Sequence, residues 1–168
     1  MTNHKFKQLI INYLRYWPLI CIFLVSFAIS FALVLAFAGS KSVWMDLFMG
    51  VLLCQFSMLK LFDIHGFAEG FSKYDLLAKR SKAYAYLYPW IELILGLLFI
   101  SMAQAMFAYL FTLIVFSLGA IGVINALLKG LNLNCACLGT SLKVPLSTVT
   151  LLEDFFMIIM ALLRVLGI

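Results

Sequence analysis

Charge is the scarcest commodity in this chain. Only 11% of its 168 residues are charged, seven of them acidic, where a soluble domain carries about 25%. Charges this sparse do not cover a water-exposed surface. The hydrophobic share is 65%, against about 45–50% in soluble proteins, so lipid is the main solvent. Glycine-rich nucleotide loops of the G-x-G-x-x-G or Walker type are absent, as are low-complexity stretches. The three prolines and ten glycines are too scattered to mark a linker. These absences exclude a nucleic-acid module, a cytosolic metabolic enzyme and a disordered regulator. The net charge of +5 then reflects loop bias at a membrane surface. At this length the chain forms one membrane domain, residues 1–168, with no separate soluble part.

Crossing a bilayer as a helix takes about 17–25 apolar residues. Five segments qualify: Trp17–Ala38, Val43–Phe62, Leu87–Ala103, Gln104–Leu128 and Thr148–Leu166. The third and fourth abut, with Glu92 as their one formal charge, so the chain must reverse around Ser101–Ala105. Lys5, Lys7 and Arg15 ahead of an apolar run superficially resemble a signal peptide, and Ala36-Phe37-Ala38 a cleavage site. The run is longer than a signal core of about 7–15 residues, and the first helix is expected to be retained. The expected fold is therefore an all-α, polytopic membrane helix bundle.

Orientation follows from lysine and arginine. With the N-terminus inside, Lys5, Lys7, Arg15, Lys73, Lys79, Arg80, Lys82, Lys129 and Lys143 are cytoplasmic, while Lys41 and Arg164 lie outside. That is the positive-inside pattern, and five helices put the C-terminus outside. The connection Asp63–Ala85 interleaves Phe67, Phe71, Tyr74, Leu76 and Leu77 with Lys73, Lys79, Arg80 and Lys82. This spacing predicts an amphipathic segment over 63–85 at the headgroup level, serving as a connector or as a docking surface.

The sharpest local feature is Asn134-Cys135-Ala136-Cys137-Leu138-Gly139-Thr140. Two thiols one residue apart can close a small, strained disulfide, and strained bridges exchange readily. As thiolates the same pair suits a soft metal such as Cu(I) or Hg(II). Two unrelated small residues in a loop is the plainer reading. Cys21 and Cys54 lie in apolar helices, where free cysteine packs as a small hydrophobe. Methionine pairs at helical spacing (Met45/Met49, Met102/Met106, Met157/Met160) offer thioethers for Cu(I), with core packing as the simpler role.

Intramembrane charges are expensive unless paired or wet. Lys60, Asp63, His65, Glu92, Cys135, Cys137, Glu153 and Asp154 all fall in one layer on the cytoplasmic side of the expected topology. Structural roles exist for several: a Lys60–Glu92 ion pair, a capping box from Glu153 back to Thr150, and His65 as a helix-end cap. In the chemical reading Glu92, Glu153 and Asp154 are proton partners of the Cys135 and Cys137 thiols.

Three stretches together resemble the MauE/DoxX-like redox-associated membrane family. They are Phe62-Asp63-Ile64-His65-Gly66-Phe67; Tyr74-Asp75-Leu76-Leu77-Ala78-Lys79-Arg80 leading to Tyr88-Pro89-Trp90-Ile91-Glu92-Leu93; and Cys135-Ala136-Cys137-Leu138-Gly139-Thr140 leading to Leu152-Glu153-Asp154. The last departs from the commoner Cys-Gly-Cys-Phe-Gly form. The resemblance implies a four-helix core (expected helices two to five) with helix one as an addition, in a bacterial inner membrane. It implies assistance to thiol–disulfide redox, or to maturation or transport of a partner protein, through Cys135 and Cys137. A thioredoxin-like or metal-binding protein is then the implied partner, with no independent enzymatic activity and no evident cofactor. Soft-metal transfer is the alternative, and a purely structural subunit of a membrane complex the second. One tension accompanies the redox reading: disulfide formation belongs outside the cytosol, whereas the charge rule puts Cys135 and Cys137 on the cytoplasmic rim.

Overall fold

The computed structural model describes residues 2–37, 39–102, 105–129 and 146–167, with the side chains of 2–16, 105 and 146–150 outside the description. Six helices follow in order: α1 (Thr2–Phe37), α2 (Lys41–Phe62), α3 (Ile64–Phe71), α4 (Lys82–Ser101), α5 (Ala105–Leu128) and α6 (Leu146–Val165). Among the described residues, four segments are long and apolar enough to cross a membrane: Trp17–Phe37, Lys41–Phe62, Lys82–Ser101 and Met106–Leu128. In hydrocarbon each backbone polar group must be satisfied within its own helix, which is why apolar runs of this length become helices. The fifth expected crossing corresponds to α6 (Leu146–Val165), which carries Glu153 and Asp154.

The reversal between α4 and α5 falls where the uninterrupted apolar run required it. Met102 caps α4 in the left-handed conformation (φ 53°), its N–H reaching the Phe99 carbonyl at 3.2 Å. The bundle is built from two close pairs, α2 against α4 and α5 against α6, with α1 leaning on α2. Glycine makes the first pair possible. A Cβ at Gly50 would come within 2.8 Å of the Gly96 carbonyl oxygen, and one at Gly96 within 2.9 Å of the Gly50 oxygen. The two backbones thus touch where small residues permit it. Phe23 of α1 bridges to Phe48 of α2 and Phe156 of α6 through ring contacts at 6.4 and 5.8 Å. Otherwise much of α1 is exposed, including Leu24, Phe27, Phe31 and Leu35.

The 63–85 connection is not one continuous amphipathic helix. Ile64–Phe71 is helical, capped by Asp63, whose side chain accepts from the Gly66 N–H at 3.0 Å, and Lys82–Ala85 already belongs to α4. The apolar face expected to meet headgroups turns inward instead: Phe67, Phe71 and Tyr74 are buried in the core, while Leu76 and Leu77 stay exposed. Folding this face against α4 buries aromatic area that a surface orientation would only half cover. Phe71 stacks near Tyr88 with centroids 4.5 Å apart.

Beyond α3, Asp75 is buried and organises the turn. Its Oδ1 accepts from Leu77 N–H at 2.9 Å and Ala78 N–H at 2.8 Å, while Oδ2 has no hydrogen-bond partner. Gly122 of α5 lets this turn approach, since a Cβ there would sit 3.1 Å from Asp75 Cα. Burial pushes the Asp75 carboxyl above the usual aspartate range, against the backbone hydrogen bonds and Lys79, which pull it down. The fold thus favours the neutral acid, and stability is lost as pH rises from the ordinary aspartate range through the raised value. Asp75→Asn keeps an oxygen for both N–H groups and removes the titration. Its melting temperature should equal or exceed wild type near neutrality, with the margin shrinking as pH falls through that window. Asp75→Ala, which strands two donors, should lose about 1–3 kcal/mol. Asn and Ala variants melting alike would show that the carboxylate does not organise the turn.

Candidate functional site

Helix directions decide which polar groups meet. α2 and α6 run antiparallel through the bundle, so Lys60 near the end of α2 shares a level with Glu153 and Asp154 near the start of α6. α4 begins at that same end and brings Glu92 in beside them. The Lys60–Glu92 pairing expected from sequence is present: Nζ lies 2.5 Å from Oε1 and 2.6 Å from Oε2. Lys60 also reaches Glu153 Oε1 at 3.4 Å. These three side chains are at most 2% exposed.

The lysine ammonium is further enclosed by aromatic faces. Phe56, Phe67 and Tyr88 present their rings to Nζ at 5.9, 5.8 and 5.4 Å from the centroids. Carboxylates and ring faces together stabilise a cation out of water. Asp154, also buried, faces α5 where Gly119 leaves room; a Cβ there would be 3.4 Å from Oδ2. Lys60, Phe67, Phe71, Tyr74, Tyr88, Gly119, Glu153 and Asp154 line a small internal cavity.

The capping box expected between Glu153 and Thr150 is not formed. α6 starts at Leu146, so Thr150 lies inside the helix rather than at its cap, and Glu153 is directed to Lys60 instead. An ammonium buried beside it outcompetes a local backbone partner for a carboxylate. His65 stays exposed, its Nδ1 3.0 Å from the Tyr86 hydroxyl; Asp63 is the cap residue of α3. Cys21 and Cys54 are free and half-buried, and Cys54 packs over Gly96. Cys135 and Cys137 lie outside the described residues. Met49, Met157 and Met160 are core residues, whereas Met102 and Met106 are exposed. Among the described residues no group of three or more His, Cys, Asp and Glu side chains is arranged to hold a metal ion.

A second polar cluster, at the opposite end, escaped the sequence reading. Arg164 of α6 clasps Asp46 of α2, with Nη2 to Oδ2 at 2.9 Å and Nε to Oδ1 at 3.0 Å. The Tyr109 hydroxyl of α5 donates to Asp46 Oδ1 at 2.6 Å, and the guanidinium lies over the Tyr109 ring. A bidentate arginine joins three helices here. Its available signal was an acid in the second turn of an apolar helix, opposite in sign to an arginine at the same level. Asp75 was likewise quoted only within a motif, although it is fully buried.

Asp63, Glu92, Glu153 and Asp154 fall in the stretches that carried the resemblance, with Lys60 two residues ahead of the first. A family model described as methylamine utilisation protein MauE matches residues 41–167, leaving α1 outside. No curated protein matches the chain significantly, and no solved structure does. The match covers most of the chain and all of the helices that build the charged layer, so this multi-pass membrane protein belongs to the MauE family.

Proposed function

We propose that this protein assists thiol–disulfide exchange, and through it the maturation or transport of a partner protein, with Cys135 and Cys137 as the exchanging pair. The observation that supports the reading is the placement of the acids. The segment holding both cysteines runs directly into α6, and α6 carries Glu153 and Asp154 into the buried layer with Lys60 and Glu92. Thiol exchange needs a proton acceptor for the attacking thiol and a donor for the leaving thiolate, and carboxyl groups at that end of the bundle suit both tasks.

In the exchange, one cysteine thiolate attacks a sulfur of the partner's disulfide, and the leaving sulfur takes up a proton. The second cysteine then displaces the partner from the mixed disulfide. Cys135 and Cys137 end joined, having given two electrons and two protons, and the partner ends as a dithiol. Run in reverse, the same steps oxidise the partner. Glu92, Glu153 and Asp154 serve as proton partners, and a thioredoxin-like protein is the fitting class of partner. On the charge pattern, the N-terminus and the cysteines face the cytoplasm and the C-terminus faces outward.

Single-cysteine variants test the assignment. Cys135→Ser and Cys137→Ser should abolish exchange, and one of them should trap a mixed disulfide visible on a non-reducing gel. Cys21→Ser and Cys54→Ser should leave exchange intact. Loss of exchange in Cys21→Ser, with Cys135→Ser still active, would overturn the reading. Alkylation of Cys135 in intact cells and in opened vesicles reports the face on which the chemistry occurs.

A further inference from the structure

The charged layer sets three buried acids, Glu92, Glu153 and Asp154, around one lysine. Lys60 gives both of its short contacts to Glu92, at 2.5 and 2.6 Å, and only a 3.4 Å approach to Glu153 Oε1. Glu153 Oε2 is buried and has no hydrogen-bond partner. Glu153 also lines the internal cavity, whose room for the centre of a water-sized sphere is about 10 Å³, close to what one water molecule requires. A buried carboxyl oxygen left without a partner is rare in a folded protein and calls for a ligand.

We propose that Glu153 Oε2 and the cavity beside it form a site for one proton and one water molecule. Three buried carboxyl groups, Glu92, Glu153 and Asp154, around one ammonium leave excess negative charge in a dry interior, and a proton on Glu153 reduces it with no further side chain. The proton resides on Oε2, and the resulting O–H donates to the water. The groups facing the site come from every element around it: Lys60 from α2, Tyr74 from the turn after α3, Tyr88 and Glu92 from α4, and Asp154 from α6. α5 presents Gly119, which brings neither charge nor side chain. The site differs from a plain ion pair in that it can release and regain its proton while Lys60–Glu92 remains closed. It shares Glu153 with the thiol reading, which uses that carboxyl as a proton partner, but it rests on the buried layer alone, and its spectroscopic test reads the carboxyl rather than exchange.

Infrared spectroscopy of the full chain in lipid vesicles tests the proposal. At neutral pH wild type should show the carbonyl stretch of a protonated carboxyl, moving to lower frequency in D₂O. Glu153→Gln, which preserves the Lys60–Glu92 pair, should abolish that band, while Asp75→Asn and Asp154→Asn, at two other buried carboxyls, should leave it in place. Absence of the band in wild type, or its survival in Glu153→Gln, would overturn the proton site. Gly119→Ala adds a methyl group to the cavity wall at ordinary contact distance from Asp154. It should expel the water and shift the Glu153 band upward, as expected for a carboxyl losing a hydrogen-bond partner. A band unmoved by Gly119→Ala would overturn the water. Absence of the band in wild type overturns the proton site whether or not any variant folds.

Discussion

Lys60→Met should cost the folded protein about 3–5 kcal/mol, the range for removing one partner of a buried ion pair. Methionine approximates the stem of lysine, so packing against Phe56, Phe67 and Tyr88 is largely kept. What disappears is the only cation that the described residues place on Glu92 and Glu153. Glu92→Gln should be far milder, because its amide oxygen still accepts from Lys60, which retains Glu153 as a counter-charge. Glu92→Leu falls between the two. Neutralising all three groups together (Lys60→Met, Glu92→Gln, Glu153→Gln) should recover much of the loss, since the penalty comes from an unpaired charge. Melting curves in one detergent would check the series. A Lys60→Met variant melting with wild type would mean that the charges reach water and the layer is not sealed.

The other large effect is expected where two backbones touch. Gly96→Leu should destabilise by about 3 kcal/mol or more, through overpacking of a tight helix crossing. Even the first added carbon meets Cys54 Sγ at 2.7 Å and the Gly50 carbonyl oxygen at 2.9 Å. The sulfur can be removed and the carbonyl cannot, which gives the test its second arm. Cys54→Ala should relieve Gly96→Ala only in part, because α2 must still move away from α4. That separation would also draw Lys60 from Glu92, which are contributed by the same two helices. Full rescue of Gly96→Ala by Cys54→Ala would show that the sulfur, not the backbone contact, sets the crossing distance.

Much of this architecture was legible before any coordinates. Scarce charge and long apolar runs dictated lipid as solvent and helices as the spanning elements, because hydrocarbon leaves the backbone no other partner. The Lys60–Glu92 pair was readable because α4 starts from the membrane face at which α2 ends, so the last turns of one meet the first turns of the other. Membership of the MauE family was readable from three separated motifs. The 63–85 segment was harder, since periodicity marks an apolar face without saying whether lipid or protein covers it. Only packing decided that Phe67, Phe71 and Tyr74 turn inward.

The remaining tertiary decisions concern partners distant in sequence. Asp46 and Arg164 are separated by 118 positions, and no local pattern joins an acid early in α2 to an arginine late in α6. Glu153 had a plausible neighbour at Thr150, yet it turns to Lys60, 93 positions away. Local spacing reveals which groups share a helix face. Which ion satisfies which depends on where the helices cross, and for α2 and α4 that is set by the close backbone approach at Gly50 and Gly96. In a low-dielectric interior a charge is governed by its nearest counter-charge in space, so sequence alone named the charged residues and only the packed bundle assigned their partners.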